Sequence, residues 1–290
     1  MGTRRRRRST IAGTLVLAAG VIGWALPASS ASASDPTPTP IPIVLTTPTT
    51  VVTIGFDDGT ADQFAARRPL KRHGMHATFF INSGPIVAGD PDHMTVAQLT
   101  TLAGLGNEIG GHTVDHANIQ PLSVADATHE VCDDRAQLVQ WGFTPTSFAY
   151  PFGSWDTNSE AIVAGCGYDS ARTVSGVSIH VAKGKIGETI PPADPYATRT
   201  PPNPKKATKL STMERYVTNA EGGVASGGQS LWVQFVFHRY CDAHCGAYTV
   251  QPAKFKGLLD FLKVEEGKGL VTVLTTAQAM ALGATPVPQP

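Results

Sequence analysis

Three short stretches of this 290-residue chain carry side chains that could do chemistry together. Asp57-Asp58 directly follows the apolar run Val51–Phe56. Adjacent carboxylates repel, and beside apolar residues they need a compensating cation. Taken alone, Asp57-Asp58-Gly59 also reads as a solvated turn. His112-Thr113-Val114-Asp115-His116 sets two imidazoles four residues apart, so both can meet one ion from a helical turn or a tight loop. Gly110-Gly111, just before it, leaves room for close backbone approach. Alone, such a pair is a weak signal. His238 ends the apolar run Trp232–Phe237, where a lone histidine is as readily a core residue as a catalyst. Combined, one aspartate and two histidines form a facial metal set with open positions. The second aspartate and the third histidine then supply a base and an acid. Hydrolysis of an unactivated amide needs an activated water, oxyanion stabilisation and a proton for the departing amine.

These residues must be held by the elements around them, and the surrounding pattern alternates strand and helix. Val51–Phe56, Ala77–Ile81, Glu108–Gly110, Ser147–Tyr150, Tyr168–Thr173, Leu231–Phe237 and Gly269–Leu274 read as strands. Ala61–His73, Val96–Gly104, Asn158–Cys166 and Phe255–Glu265 read as helices, as does one long stretch, Val124–Trp141, with Ser123 as its cap. Repeated β–α units predict an α/β fold whose parallel sheet closes into a barrel, with chemistry at the carboxyl ends of the strands. The polar clusters fall at those ends. The stretch Val174–Gly228 is long, Pro-rich and Lys-bearing; it reads either as a wall of a substrate groove or as a surface insertion.

The flanks differ from this body. Arg4–Arg8, the apolar Thr10–Leu26 and the small residues Ala31-Ser32-Ala33 form the pattern of a cleaved signal peptide over residues 1–33. The apolar run, 17 residues, falls short of the roughly 20 of a membrane span. Residues 34–47 read as a Pro/Thr-rich linker, 48–284 as the globular body and 285–290 as a Pro-rich tail. Losing the five leader arginines leaves 18 basic residues against 23 acidic, a net charge of −5. That balance speaks against a nucleic-acid partner. Export makes disulfides the expected state of Cys132, Cys166, Cys241 and Cys245. Cys241–Cys245 would close a short loop and leave Cys132–Cys166. A zinc site from Cys241, His244 and Cys245 is the alternative.

The motifs resemble those of the polysaccharide deacetylases with a NodB-homology domain, carbohydrate esterase family 4. Thr53–Gly59 resembles the family's T-F-D-D-G, with Gly55 where Thr is usual. His112–His116 is similar to its H-[ST]-x-x-H, Phe148–Gly153 to its third motif, and Phe237-His238 to its late histidine-bearing strand. His73–Phe80 resembles the segment that follows the first motif. The order is kept from about residue 51 to 276. The resemblance implies a distorted (β/α) barrel with seven or eight parallel strands and a divalent metal, usually zinc. Asp58, His112 and His116 match its metal ligands, Asp57 its general base and His238 its general acid. The Phe152 N–H takes the place of an oxyanion donor. Two departures stand out. Ala149 occupies the third-motif position where Arg often steadies the base, and Arg172 on the next predicted strand is the candidate replacement. The usual fourth motif is missing, with Asp169 a weak candidate for tuning His238.

The expectation is therefore a secreted, monomeric, zinc-dependent deacetylase acting on an N-acetylated amino-sugar polymer. An O-acetyl xylan esterase using the same residues, a non-catalytic carbohydrate-binding protein and a plain structural domain are the rivals. No stable membrane insertion is expected once the leader is removed.

Overall fold

The computed structural model describes residues 45, 47–183, 185–242 and 246–282, all within the compact unit Ile41–Pro290. The expected leader, most of the linker and the tail lie outside these residues. The strands are β1 (Thr50–Phe56), β2 (Thr78–Ile81), β3 (Glu108–Gly111), β4 (Ser147–Ala149), β5 (Ser170–Gly176), β6 (Glu188–Thr189), β7 (Thr198–Thr200), β8 (Leu231–Phe237), β9 (Arg239–Tyr240), β10 (Thr249–Val250) and β11 (Val271–Leu274).

The main sheet runs β6-β8-β1-β2-β3-β4-β5-β7, and β11 pairs with the first half of β1 while β2 pairs with its end. All pairings are parallel except β6 with β8. Among the described residues β1–β5, β7, β8 and β11 make eight parallel strands, nearly closed into a barrel with helices around it. The seam is closed by side chains. Gln234 of β8 donates to Thr198 Oγ1 and to the Arg199 carbonyl of β7, both at 3.0 Å. Arg199 in turn pairs with Glu188 of β6.

Period-two alternation sorts the strand residues. Val52, Ile54 and Phe56 of β1 and Val233, Phe235 and Phe237 of β8 join the helix-facing core, where Phe56, Phe79, Phe237 and Phe255 stack edge and face. The intervening residues face inward. In β1 these are Val51, Thr53 and Gly55, and Asp57 is next in that series. In β8 they are Trp232, Gln234 and Val236, and His238 follows. Trp232 satisfies its indole N–H on Thr53 Oγ1 at 3.0 Å inside the barrel.

Two expectations need correction. The stretch 124–141 is not one continuous α-helix. Ser123 caps it as expected, accepting from Asp126 N, but a π-turn at His129–Asp133 separates Val124–Thr128 from Asp134–Gln140. The turn carries Cys132, which is bonded to Cys166 at the end of helix Thr157–Gly165. A periodicity reading sees one apolar face and cannot see one extra residue per turn. The stretch 174–228 is not a surface insertion: it contributes β6, β7 and the helix Leu210–Gly227, whose Met213, Tyr216, Val217 and Ala220 are buried. Among the described residues no helix is long and apolar enough to cross a membrane. Cys241 is disulfide-bonded, against the zinc alternative, whereas His244 and Cys245 lie outside the described residues.

Candidate metal centre and active site

The carboxyl ends of the strands surround a pocket of about 230 Å³, lined among others by Asp57, Asp58, His112, His116 and His238. β1 delivers both aspartates. It stops at Phe56, and Asp58 (φ 75°) and Gly59 (φ 69°) turn the chain through the left-handed region. Aspartate tolerates this conformation because its short side chain bonds locally, and glycine because it has no Cβ. β3 delivers the histidines. A Cβ on Gly111 would lie 1.9 Å from Tyr168 Oη, and one on Gly110 would lie 2.7 Å from the Ser147 carbonyl. The glycine pair is thus required for β3 to approach its neighbours before His112.

Asp58 Oδ1 lies 3.5 Å from His112 Nε2 and 3.4 Å from His116 Nε2. One ligand atom from each residue falls within 4.8 Å of the others. Ligands about 2.0–2.2 Å from a zinc ion at tetrahedral angles lie about 3.3–3.6 Å from each other. Asp58 Oδ1 is also buried with no hydrogen-bond partner among the described residues. Buried oxygens are normally satisfied, and a cation between it and the two imidazoles would satisfy it. The donor set fits a divalent metal.

The surroundings prepare these donors. His112 Nδ1 lies 2.7 Å from the Ala149 carbonyl. A carbonyl only accepts, so Nδ1 carries the proton and Nε2 presents its lone pair to the site. Burial alone would raise the Asp58 carboxyl, but His112 at its side and the charges of His238 and His116 overcome that and hold it well below the usual range. Burial disfavours a charged His112, but the nearby Asp58 and Asp57 carry it above its ordinary value. Burial and the neighbouring His112 push His116 down, toward the neutral form a metal ligand requires.

Asp57 is buried at 2% exposure, and its Oδ1 accepts from Arg172 Nη2. Its Oδ2 stands 3.8 Å from His238 Nε2. Arg172 is equally buried and lies over the Phe80 ring at 4.6 Å. Its Cα is the register partner of Ala149. Side chains of register partners on parallel strands point to the same face, so small Ala149 leaves the space that Arg172 fills from one strand over. Asp169 does not reach His238. It starts the turn into β5, with its N–H on the Thr146 carbonyl, and His238 Nδ1 has no hydrogen-bond partner among the described residues. Phe152 adopts φ 61°, and its exposed ring meets His116 edge-on at 4.7 Å. Among the described residues five non-glycine positions have positive φ; Asp58, Thr113, His116 and Phe152 are four of them. Such strain gathers where a site over-determines the backbone. Val174 and Asn203, from the stretch read as groove wall or insertion, also line the pocket.

Three polar residues at the site are not legible as functional from their sequence context. Asn82 donates through Nδ2 to the carbonyls of His112 and, at 3.1 Å, Thr113. Asp134 accepts from the Ser83 N–H at 3.0 Å and from the His112 N–H at 3.1 Å, which it shares with the Ile81 carbonyl. Burial pushes its carboxyl up to about 7 against these hydrogen bonds. Gln63 donates to the carbonyls of Asp57 and His238. The available signal was position: Asn82 and Gln63 follow the carboxyl ends of strands. Asp134 offered none.

A parallel barrel with a cation-fitting Asp/His/His set beside a buried carboxylate–imidazole pair is the class of site this geometry defines. Residues 45–171 match the family model described as polysaccharide deacetylase, and over that segment the chain is similar to the NodB-type deacetylases of carbohydrate esterase family 4. Arg172 and His238 lie beyond the matched segment. The chain is 30% identical over 124 residues to the Bacillus subtilis protein named "Putative polysaccharide deacetylase YxkH", covering 42% of this chain and 44% of that one. It spans less than half the length of the curated relatives it matches. Among solved structures, Streptococcus pyogenes deacetylase PplD in complex with acetate is 24% identical, over 52% of this chain and 65% of that one, with a TM-score of 0.44. Peptidoglycan deacetylase PdaC from Bacillus subtilis is 18% identical, over 81% and 91%, with a TM-score of 0.49.

Proposed function

We propose that the protein is a secreted, metal-dependent deacetylase that hydrolyses N-acetyl groups on an amino-sugar polymer. The observation that carries this reading is one pocket joining a cation-fitting set, with its orphaned Asp58 oxygen, to a carboxylate and an imidazole 3.8 Å apart. Asp58, His112 and His116 would hold the ion, and two nitrogens with one oxygen favour zinc. When bound, it supplies Lewis-acid polarisation of the acetyl carbonyl and lowers the pKa of a water.

The chain's own residues do the rest. Asp57 takes the proton of the attacking water. Arg172, paired with its Oδ1, fixes that carboxylate in place and leaves Oδ2 toward the pocket. The Phe152 N–H donates to the developing oxyanion. His238 protonates the departing nitrogen. An amide nitrogen leaves poorly without that proton, and an imidazole beside the base can supply it. Phe152, 67% exposed, and Tyr248, 45% exposed and packed on His238, offer apolar faces to a sugar polymer at the mouth.

Acetate release tests the reading on chitin oligomers, peptidoglycan and acetylated xylan, with and without a chelator. Release from an amino-sugar polymer that stops on chelation and returns with zinc is expected. Release only from xylan, or release indifferent to chelation, would overturn it.

A further inference from the structure

Gln63 stands where strand pairing stops controlling the site. It is fully buried in the 3-10 turn Ala61–Ala66, just after the Asp57–Gly59 turn. Its Nε2 donates to two main-chain carbonyls at once, those of Asp57 and His238. Both partners can only accept, so the nitrogen must face them, and the surroundings leave no choice of amide orientation. Its Oε1 is buried without a hydrogen-bond partner among the described residues. The nitrogen's two bonds therefore account for the placement of this carboxamide.

The two carbonyls are the first beyond the β1–β8 ladder. The last register pair is Phe56 with Phe237, and the last rung is Asp57 N–H to the Phe237 carbonyl at 2.8 Å. Past that point the chains part: one enters a left-handed turn and the other enters β9. Among the described residues no further ladder bond sets the separation of Asp57 and His238. Thr60 Oγ1 also lies 3.3 Å from the His238 carbonyl, but its single proton is directed to Asp62 Oδ1 at 2.7 Å. Arg239 Nε also faces Asp62 Oδ2 at 3.6 Å across the same gap, but among the described residues only Gln63 ties the Asp57 and His238 carbonyls to one another.

We propose that Gln63 is a positioning residue that sets the distance between the base and the acid. It acts by holding the main chains that carry Asp57 and His238. The inference rests on the reading of Asp57 as base and His238 as acid. A residue with this task matters most for substrates that need both proton transfers. An error of about 1 Å in such a pair costs about 100-fold in rate.

The test compares two substrates on the zinc-loaded full chain. A chitin oligomer leaves as an amine and needs His238. 4-Nitrophenyl acetate leaves as a stable phenolate and needs only the base. Gln63→Met keeps length and removes both donors. It is expected to lower kcat on the oligomer about 100-fold while activity on the ester falls by less than about fivefold and zinc content is unchanged. An equal fall on both substrates, no fall, or loss of zinc would overturn the proposal. Should Gln63→Met fail to fold, Gln63→Asn, which keeps the amide but shortens its reach, is expected to show the same split at smaller size; an equal fall would again overturn it. His238→Ala separates the two layers of the argument. If it shows no split, the acid assignment fails; if it shows the split and the Gln63 variants do not, the positioning role fails.

Discussion

The two halves of the pocket are built differently. On the metal side, His112 and His116 come from one loop and Asp58 from one turn, and hydrogen bonds to that loop hold it. The Ala149 carbonyl orients His112, Asp134 takes its N–H, and Asn82 fastens the consecutive carbonyls of His112 and Thr113. Left-handed backbone at Asp58, Thr113 and His116 sets the angles. On the proton-transfer side, Asp57, Arg172 and His238 come from or follow three strands, β1, β5 and β8, and side chains hold them. Arg172 reaches across the barrel to Asp57, and one Gln63 carboxamide spans two strand ends. Both halves use a buried carboxamide as a clamp, but Asn82 joins neighbours in sequence and Gln63 joins residues far apart in it. The metal side therefore takes its donors from two short segments, and the proton side takes its groups from the ends of three strands. Damage to the first should appear as lost affinity for the ion, and damage to the second as lost rate.

Four variants would break or sharpen that contrast. Asp57→Asn should lower kcat about 1,000-fold while zinc content, read by metal analysis, stays whole. Loss of zinc instead would mean that the two aspartates hold each other's role. Asp134→Asn leaves one acceptor oxygen for two N–H groups. Zinc affinity, measured by titration, should weaken about 10–100-fold, with kcat at saturating zinc within about twofold. Unchanged affinity would mean that the Ile81 carbonyl suffices to hold His112. Arg172→Lys keeps the charge but loses the planar fork and its fit over Phe80, and kcat should fall about tenfold with no change in zinc affinity. An unaltered rate would remove Arg172 from the site. Cys132→Ser with Cys166→Ser should touch activity least. Opening a loop with a sequence separation of 34 should cost about 4 kcal/mol in denaturant unfolding, with kcat within about twofold. Zinc affinity falling as far as in Asp134→Asn would show that the π-turn, and not local backbone alone, supports the metal side.

The legible part of the protein follows the same division. Continuous apolar runs marked nearly every long barrel strand, because a parallel strand with helices outside and barrel side chains inside is buried on both faces. Short elements with mixed composition escaped: β6 and β7 span two and three residues, and their place was decided by Gln234 and Arg199 closing the seam. The helix Leu210–Gly227 was hidden in a stretch whose prolines and lysines read as loop.

By itself the sequence determined the parallel α/β plan and the candidate metal donors, because a loop of five residues and a two-residue turn carry their geometry in their own backbone. It also marked the positions of Asp57 and His238, through the strands that end at them. Only the tertiary structure decided that Arg172 stands in register beside Ala149, that Gln63 spans two strand ends, and that Asp134 lies behind His112. Such contacts depend on which strands become neighbours, and neighbours in a barrel are chosen by the packing of the whole chain.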